Sequence, residues 1–203
     1  MEQGSPEWIA ARLGKLTASR IADAVARTKT GWGASRANLM ASLVAERLTG
    51  APQDTYTNAA MQHGIDTEPQ ARMAYEFYRD CEVEQVGFIP HPTISMSGAS
   101  PDGHIGTDGM LEIKAPNTAT HIDTLLGEPI PQKYIYQMNW QMACTGRVWC
   151  DFASFDPRMP ERLRLFVQRV QRNDDLIATL ETEARAFLDE LDAKVAALSK
   201  IAA

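Results

Sequence analysis

One short stretch, residues 100–114, constrains this chain more than any other part of its sequence. It reads SPDGHIGTDGMLEIK, and its first four residues have the composition of a tight turn, because proline presets φ and glycine tolerates a positive φ. Residues 107–109 form a second turn signal, and residues 110–114 have the alternation of a β-strand. The stretch therefore predicts a β-hairpin.

This hairpin would bring three charged side chains together. Side chains on a strand alternate between its faces, so Glu112 and Lys114 share one face of the second strand. If the hairpin folds Asp102 back beside them, two carboxylates and one ammonium group meet. Divalent cations prefer oxygen ligands, and a lysine beside one can orient or deprotonate a water, which is the chemistry of phosphodiester hydrolysis. The alternative is a surface hairpin with solvated charges, and the D…E-x-K pattern alone occurs more often there.

Length and composition narrow the class of protein. The chain has 203 residues, of which 44% are hydrophobic and 23% charged, as expected for a single soluble domain spanning residues 1–203. No apolar run approaches the length of a membrane span, and the first residues resemble no secretory signal. Three cysteines without metal-ligand spacing predict free thiols in a reducing cytoplasm. The net charge of −6 disfavours a nonspecific nucleic-acid binder but allows an enzyme with one basic channel.

The periodicity of the apolar residues and the positions of capping residues, glycine and proline predict the order of the helices and strands. Helices are expected over about 5–13, 17–25, 35–49, 58–79, 121–126, 131–145 and 173–199, with strands over 82–89, 94–99, 147–155 and 162–170. Ser5, Thr17 and Ser35 are the expected N-caps of the first three helices, and Pro69 is expected to kink or restart the fourth. The first strands and the hairpin would form one meander. The order predicts an α/β or α+β domain with a mixed sheet.

Further polar residues could belong to a site. Glu68 lies on a helix, where an exposed acid is the simpler reading, and Gln137 lies among large apolar residues, where a satisfied core amide is commoner. Arg12 and Ser19 flank the start of the second helix, and a guanidinium and a hydroxyl at such a place suit a phosphate. The simpler interpretation is that Ser19 helps to cap the helix and that Arg12 is a surface arginine.

Several motifs in a fixed order resemble one family. They are W8…R12-L-G…T17-A-S, G64…E68…A71-R, S100-P-D-G, L111-E-I-K, Y134…Q137 and F152-A…F155-D-P-R-M159. Together they cover most of the chain and are similar to the phage-lambda-type alkaline exonucleases of the YqaJ-like viral recombinase group. The resemblance implies a restriction-endonuclease-like PD-(D/E)xK core, in which a mixed central β-sheet is flanked by helices.

The resemblance also assigns the catalytic residues. Asp102, Glu112 and Lys114 match the family's catalytic set, and the Ile113 carbonyl matches a ligand that completes the metal shell. Glu68 matches an acid that helps to hold a second metal ion. The implied cofactor is Mg²⁺, with Mn²⁺ as a substitute, in a two-metal mechanism.

The remaining matched residues concern the DNA end. Gln137 matches a glutamine at the site, which would align the water or the lysine. Arg12 and Ser19 match residues that seat a 5′-terminal phosphate, and Tyr134 is assigned to the same DNA-binding group. Lys29 stands where the family has an arginine, and Met61 where an apolar wedge helps to part the terminal base pairs. Lysine keeps the charge of the arginine but not its bidentate geometry.

The resemblance implies a 5′→3′ exonuclease acting on linear double-stranded DNA with a 5′ phosphate. The products would be mononucleotides and a duplex with a 3′ single-stranded overhang for recombination by strand annealing. The implied partners are two further copies in a homotrimeric ring and a phage-type single-strand annealing protein, in the cytoplasm of a bacterial host. A restriction-like endonuclease or nickase of the same fold is the alternative, and a degenerate DNA-binding subunit would lack one of the three catalytic residues.

Overall fold

The structure, a computed structural model, describes residues 2–53 and 59–201. Its α-helices are α1 (Pro6–Arg12), α2 (Ile21–Ala24), α3 (Ala34–Thr49), α4 (Ala59–Arg79), α5 (Thr118–Leu125), α6 (Gln132–Thr145) and α7 (Asp174–Ile201). Its strands are β1 (Leu16–Thr17), β2 (Arg27–Thr28), β3 (Gly31–Trp32), β4 (Ile89–Pro90), β5 (Ser97–Ala99), β6 (Gly103–Ile105), β7 (Gly109–Lys114), β8 (Trp149–Phe155) and β9 (Leu165–Gln171). No helix in these two ranges is long and apolar enough to cross a membrane.

A mixed four-stranded sheet with the order β6-β7-β8-β9 forms the centre of the molecule. Strands β6 and β7 form the predicted antiparallel hairpin, with Gly103 opposite Leu111. Strand β7 pairs in parallel with β8, and β8 pairs antiparallel with β9. The long segment that contains α5 and α6 separates β7 from β8, as a parallel crossover requires. The predicted mixed sheet is therefore confirmed.

Helices cover both faces of this sheet. On one face, Tyr75 of α4 packs with Leu111 and Ile113 in one apolar cluster. On the other face, Met138 and Met142 of α6 pack with residues of β7 and β8. The alternation of β7 therefore buries Leu111 and Ile113 beneath α4 and turns Met110 and Glu112 toward α6. This is the predicted flanking of the sheet by helices.

A second, three-stranded sheet holds the N-terminal segment beside the central hairpin. Its order is β1-β5-β4, with β1 parallel to β5. The prediction of one continuous meander was wrong, because β5 pairs with β1 and not with the hairpin. The Ser97 hydroxyl donates to the Leu16 carbonyl at 2.6 Å, which reinforces this pairing. As a result, the residues around α1 lie beside the turn that follows β5.

The first and last helices agree with their sequence signals. Ser5 caps α1 by accepting a hydrogen bond from the Trp8 amide. Asn173 does the same for the Leu176 amide, where the long terminal helix begins. The apolar stripe of that helix packs in the main core, in which Leu180, Phe187 and Leu191 are buried. The three cysteines are free, as predicted.

Two helices begin differently from the predictions. Thr17 precedes a 3₁₀ turn rather than α2 itself, and its side chain makes no capping hydrogen bond. Helix α3 begins after Gly33, so Ser35 lies inside it and is not its N-cap. Both observed starts lie within a few residues of the predicted ones.

Other local predictions also need correction. Helix α4 continues through Pro69 without a restart, because burial of Ala71 and Tyr75 on the sheet holds the following turns. Its predicted start at Asn58 lies outside the described residues. Residues 27–32, between the second and third predicted helices, form the hairpin β2–β3, whose Trp32 ring lies between the guanidinium groups of Arg27 and Arg36. These contacts are nonlocal, so the local pattern did not indicate them.

The four strands predicted outside the hairpin are shorter than expected. Strands β5 and β8 cover residues 97–99 and 149–155, where 94–99 and 147–155 were predicted. Residues 82–88 form only an isolated bridge, between Glu84 and His104, before β4 begins at Ile89. Leu163 belongs to a 3₁₀ turn, so β9 starts at Leu165, three residues after its predicted start. At 82–88 and at 162–164 the alternating pattern is present, but no described strand pairs with these residues along their whole length.

Candidate active site

The centre of the site is the carboxylate of Glu112 on β7. This residue is only 1% exposed, and its Oε1 forms an ion pair with the Lys114 ammonium group, two residues along the same face of the strand. Burying a carboxylate is costly unless it is paired and hydrogen-bonded. The pairing of Glu112 with Lys114 meets this requirement and confirms that the two side chains share one face.

Asp102 reaches the same place from the turn before β6. Its Oδ2 accepts a hydrogen bond of 2.6 Å from the Ile113 amide, so the hairpin folds the aspartate back onto β7 as predicted. Gly103, the next residue, lies so close to Val83 that an added Cβ would stand 2.1 Å from the Val83 Cγ1. A side chain at this position would therefore force either Val83 or the turn that carries Asp102 to move.

The N-terminal segment holds the turn before Asp102. The Gln3 amide donates to the Pro101 carbonyl at 2.8 Å, and the Trp8 indole donates to the Ser100 hydroxyl at 2.9 Å. Arg12 also donates to this hydroxyl at 3.2 Å. These contacts join residues about ninety positions apart, and the pairing of β1 with β5 makes them possible. Sequence reasoning gave no role to Gln3, Trp8 or Ser100.

Helix α6 contributes three side chains to Glu112 and Lys114. Gln137 donates to Glu112 Oε1 at 2.7 Å, and the Tyr134 ring lies 5.0 Å from the Lys114 ammonium group. Gln141 donates to Glu112 Oε2 at 2.6 Å. Sequence reasoning missed the role of Gln141, although it lies one turn after Gln137 and so on the same helix face.

The electrostatics of the site reflect crowded negative charge. Burial raises the pKa of Asp102 well above its usual range, and the neighbouring charges of Glu112 and Glu68 raise it further. For Lys114, burial lowers the pKa, but the carboxylates of Glu112 and Asp102 outweigh it, so the pKa is raised. A lysine that deprotonates a water needs a lowered pKa, and the protein's own groups act in the opposite direction.

Glu68 faces the site from helix α4. It forms an ion pair with Arg72 one turn later. Burial raises the pKa of Glu68, which Arg72 counteracts and Glu112 reinforces. Glu68 is thus close enough to interact with the central carboxylates, although its own partner is an arginine.

A basic region lies next to these carboxylates. Arg12 stacks on the Trp8 ring at 3.9 Å, and Ser19 is exposed in the 3₁₀ turn that follows β1. Lys15 and Arg20 line the same depression. Burial and the charge of Arg20 lower the pKa of Arg12 to about 10, so its guanidinium remains charged at neutral pH. Such a concentration of positive charge suits an anion.

One cleft of about 660 Å³ joins the acidic and basic regions. Its lining includes all the residues proposed from the sequence except Lys29, namely Arg12, Ser19, Met61, Glu68, Asp102, Glu112, Ile113, Lys114, Tyr134 and Gln137. Met61 is 54% exposed on α4 at the edge of this cleft. Lys29 lies instead at the exposed end of the β2–β3 hairpin.

The donor set of the cleft suits a hard divalent cation. Asp102, Glu112 and the Ile113 carbonyl offer oxygen atoms, which Mg²⁺ and Mn²⁺ prefer. A positive ion would also relieve the repulsion that raises the pKa of Asp102. Across the described ranges, no three acid, histidine or cysteine side chains form a ready metal cage. A cation here would therefore rely on the two carboxylates, the main-chain oxygen and water.

Comparisons with known proteins agree with this geometry. The sequence matches the YqaJ-like viral recombinase domain over residues 7–148. It is 52% identical to an alkaline exonuclease, LHK-Exo from Laribacter hongkongensis, over 98% of each chain, with a TM-score of 0.89. The same protein in complex with dAMP gives a TM-score of 0.90.

A more distant comparison concerns the fold alone. A phage related exonuclease from Haemophilus somnus 129PT is 14% identical, and the alignment covers 91% of this chain and 96% of the other, with a TM-score of 0.75. No curated protein matches the sequence. The structural relatives are nucleases with a restriction-endonuclease-like fold, which is the predicted fold class.

Proposed function

This chain belongs to the family of YqaJ-like viral recombinase domains, and we propose that it is a divalent-cation-dependent exonuclease acting on linear double-stranded DNA. It degrades one strand in the 5′→3′ direction, releases mononucleotides and leaves a 3′ single-stranded overhang. Strand-annealing recombination then uses this overhang. Phage or prophage origin and action in the cytoplasm of a bacterial host are part of the same proposal.

The observation that carries the proposal is the convergence of Asp102, Glu112 and Lys114. Asp102 is tied to the backbone of β7 at 2.6 Å, and Glu112 is paired with Lys114 in the same cleft. Two carboxylates and a lysine held together in this way suit hydrolysis of a phosphodiester. A degenerate DNA-binding subunit would not need all three.

The cleft offers a set of ligands for Mg²⁺ or Mn²⁺. Asp102, Glu112 and the Ile113 carbonyl would hold the cations, and Glu68 would assist directly or through water. When bound, two divalent cations lower the pKa of the attacking water and offset charge on the attacking and leaving oxygens. Support for cation binding comes from the burial of Asp102 and its repulsion by the neighbouring carboxylates, which together raise its pKa.

Lys114 and Gln137 have supporting roles in this proposal. The Lys114 ammonium group would donate a hydrogen bond to the attacking water and orient it. Lys114 would act as a base only as the neutral amine, which requires that bound cations first lower its pKa. Gln137 holds Glu112 at 2.7 Å and so keeps the carboxylate directed into the cleft. The Tyr134 ring lies beside the ammonium group and limits its movement.

The basic region would bind the 5′ end of the degraded strand. Arg12 and Ser19 seat the terminal phosphate, which sets the distance to the scissile bond, so that one nucleotide is removed in each step. Met61 at the cleft edge helps to part the terminal base pair, and Lys29 contacts the duplex outside the cleft. Phosphate contacts carry no base information, so low sequence specificity is expected.

The relative from Laribacter hongkongensis supports the proposed chemistry. It is described as an alkaline exonuclease, and one of its structures is in complex with dAMP. A nucleoside monophosphate is the product that a mononucleotide-releasing exonuclease would form from DNA. By analogy, the cleft of this chain would bind a nucleoside monophosphate.

The proposed assembly is a homotrimeric ring that encircles the duplex, with a phage-type single-strand annealing protein as partner. Encirclement would keep a chain of net charge −6 on DNA without strong attraction. Large apolar side chains exposed on α4 are typical of an interface, and Ile65, Met73 and Phe77 are 60%, 61% and 92% exposed. Light scattering measures the mass directly, and a monomer in solution would remove the ring from the proposal.

Linear and covalently closed circular duplexes test the function most simply. In Mg²⁺, we expect digestion of the linear duplex, faster with 5′-phosphate than with 5′-hydroxyl ends, and no change to the circle. Cutting of the circle would instead favour a restriction-like endonuclease or nickase. Inertness toward both substrates would refute the nuclease proposal.

A further inference from the structure

Gln141 differs from every other polar residue that contacts the catalytic carboxylates. Its side chain is fully buried and is not part of the cleft lining, whereas Gln137, one turn earlier, lines the cleft. Its amide nitrogen donates to Glu112 Oε2 at 2.6 Å. Gln141 can therefore influence the site only through Glu112.

The orientation of the Gln141 amide follows from its neighbour. A carboxylate oxygen accepts hydrogen bonds and repels another acceptor, so the NH₂ group must face Glu112. The amide oxygen then points away, and it is buried without a hydrogen-bond partner among residues 2–53 and 59–201. A purely structural amide normally satisfies both of its ends, but this side chain directs its hydrogen bonding to Glu112 alone.

The hydrogen bonds around Glu112 divide its acceptor positions. A carboxylate has about four lone-pair positions, two on each oxygen. Lys114 and Gln137 both contact Oε1, which accounts for its two positions. Gln141 takes one position on Oε2, and within the described ranges no other side chain donates a hydrogen bond to that oxygen. The open position on Oε2 is the one that a cation would meet.

We propose that Gln141 is a positioning residue that fixes the plane of the Glu112 carboxylate and the direction from which a divalent cation reaches Oε2. This inference rests on the proposed function, because it assumes that Glu112 is a cation ligand. Outer hydrogen-bond partners of metal ligands commonly orient the ligand in this way. Without Gln141, the carboxylate could rotate about its contacts on Oε1.

Cation binding to the DNA-free protein tests the proposal without relying on turnover. Gln141→Met keeps the length of the side chain but has no donor. Isothermal titration with Mn²⁺ should show affinity reduced about tenfold to a hundredfold, the usual cost of losing an outer partner of a metal ligand. With DNA present, the Mg²⁺ concentration for half-maximal activity should rise by a similar factor, whereas the KM for DNA should change little.

Asn139→Leu is a matched control for the loss of a buried amide on the same helix. Asn139 is 1% exposed, and its amide contacts the Ile135 carbonyl and the Asn173 amide, not Glu112. The control should lose thermal stability but keep the Mn²⁺ affinity of the wild type. If Gln141→Met fails to fold, Gln141→Leu, which is smaller and also lacks a donor, takes its place.

The outcomes separate the two proposals. Weaker Mn²⁺ binding by the Gln141 variant and unchanged binding by the Asn139 variant would support the positioning role. Equal Mn²⁺ affinity in the wild type and the Gln141 variant would overturn it while leaving the proposed nuclease intact. Absence of Mn²⁺ binding by the wild-type protein would contradict the proposed function itself.

Discussion

The acidic and basic ends of the cleft are built in different ways. At the acidic end, Glu112 is buried and accepts hydrogen bonds from Lys114, Gln137 and Gln141. At the basic end, Ser19 is exposed, and its hydroxyl lies 3.3 Å from the Thr17 hydroxyl. Rigid positioning favours a reaction that needs fixed geometry, and an adjustable, charged surface favours capture of a strand end. We therefore expect changes at the acidic end to alter rate and changes at the basic end to alter substrate choice.

The largest expected effect is the loss of the lysine at the acidic end. Lys114→Ala removes the ammonium group that would orient the attacking water, so the rate should fall at least a hundredfold, on the usual scale of about 10²–10⁴ for acid–base groups. Binding of DNA in Ca²⁺, measured by fluorescence anisotropy, should persist. Lys133→Ala is a suitable control, because Lys133 also lies over the Tyr134 ring, at 4.8 Å, in the same cleft. Near-normal turnover of Lys114→Ala would remove its assigned role.

A smaller effect is expected from the arginine at the basic end. Arg12→Ala should reduce the preference for 5′-phosphorylated over 5′-hydroxyl ends about tenfold, the scale of one charge-assisted hydrogen bond. The rate on 5′-hydroxyl ends should change little. Lys29→Ala, on an exposed hairpin outside the cleft, is the control and should weaken binding of both ends alike. An unchanged end preference in Arg12→Ala would place the phosphate seat elsewhere.

The crowded charge of the acidic end should also lower the stability of the folded protein. Because burial and nearby carboxylates raise the pKa of Asp102 in the folded state, its charge destabilises the fold at neutral pH. Asp102→Asn should therefore raise the free energy of unfolding of the cation-free protein at pH 7 by about 1 kcal/mol, as other stabilising substitutions do. The gain should vanish as the pH falls below the ordinary carboxyl pKa, where Asp102 is protonated in both states. Urea titrations at several pH values measure it.

The exposed Asp123→Asn change provides the comparison for this measurement, because surface substitutions usually stay within about 0.5 kcal/mol. Added Mn²⁺ should stabilise the wild-type protein but not Asp102→Asn. Destabilisation by Asp102→Asn at pH 7 would show that the charge is well accommodated, and the contrast between the two ends would then be smaller than argued.

The smallest effect is expected from a change at Ser100, which lies between the two ends of the cleft. Ser100 accepts hydrogen bonds from both Trp8 and Arg12 and precedes the turn that carries Asp102. Ser100→Ala removes this shared acceptor and should lower the free energy of unfolding by about 1 kcal/mol, with a change in rate of only a few fold. A loss of rate as large as that of Lys114→Ala would indicate that the two ends act as one unit.

How far the sequence predicts the site depends on how local the contacts are. Asp102 and Glu112 are close in the sequence, at the two ends of one hairpin, so turn residues and strand alternation suggested that they could meet. The contacts of Glu112 with Gln137 and Gln141 depend on how α6 packs on the sheet, and no local pattern contains that information. The resemblance to a family supplied Gln137, whereas Gln141 was found only in the structure.

The same distinction explains the errors in the fold. The contact between Arg12 and Ser100 depends on the parallel pairing of β1 with β5, two short strands far apart in the sequence. Local rules predicted one meander instead and joined β5 to the hairpin. Pro69 was expected to kink or restart α4, and the helix continues through it without a restart because nonlocal burial of Tyr75 against the sheet outweighs the local preference.

The central claim is that the basic end selects the strand terminus and the acidic end cuts one nucleotide from it. Linear duplex carrying a radioactive 5′ phosphate on one strand tests this claim in a single turnover with Mg²⁺. We predict that the wild-type protein releases the label from the DNA as a mononucleotide. With Lys114→Ala, the label should remain on full-length DNA. Release of the label on longer oligonucleotides, or its retention while the 3′ end is degraded, would contradict the claim.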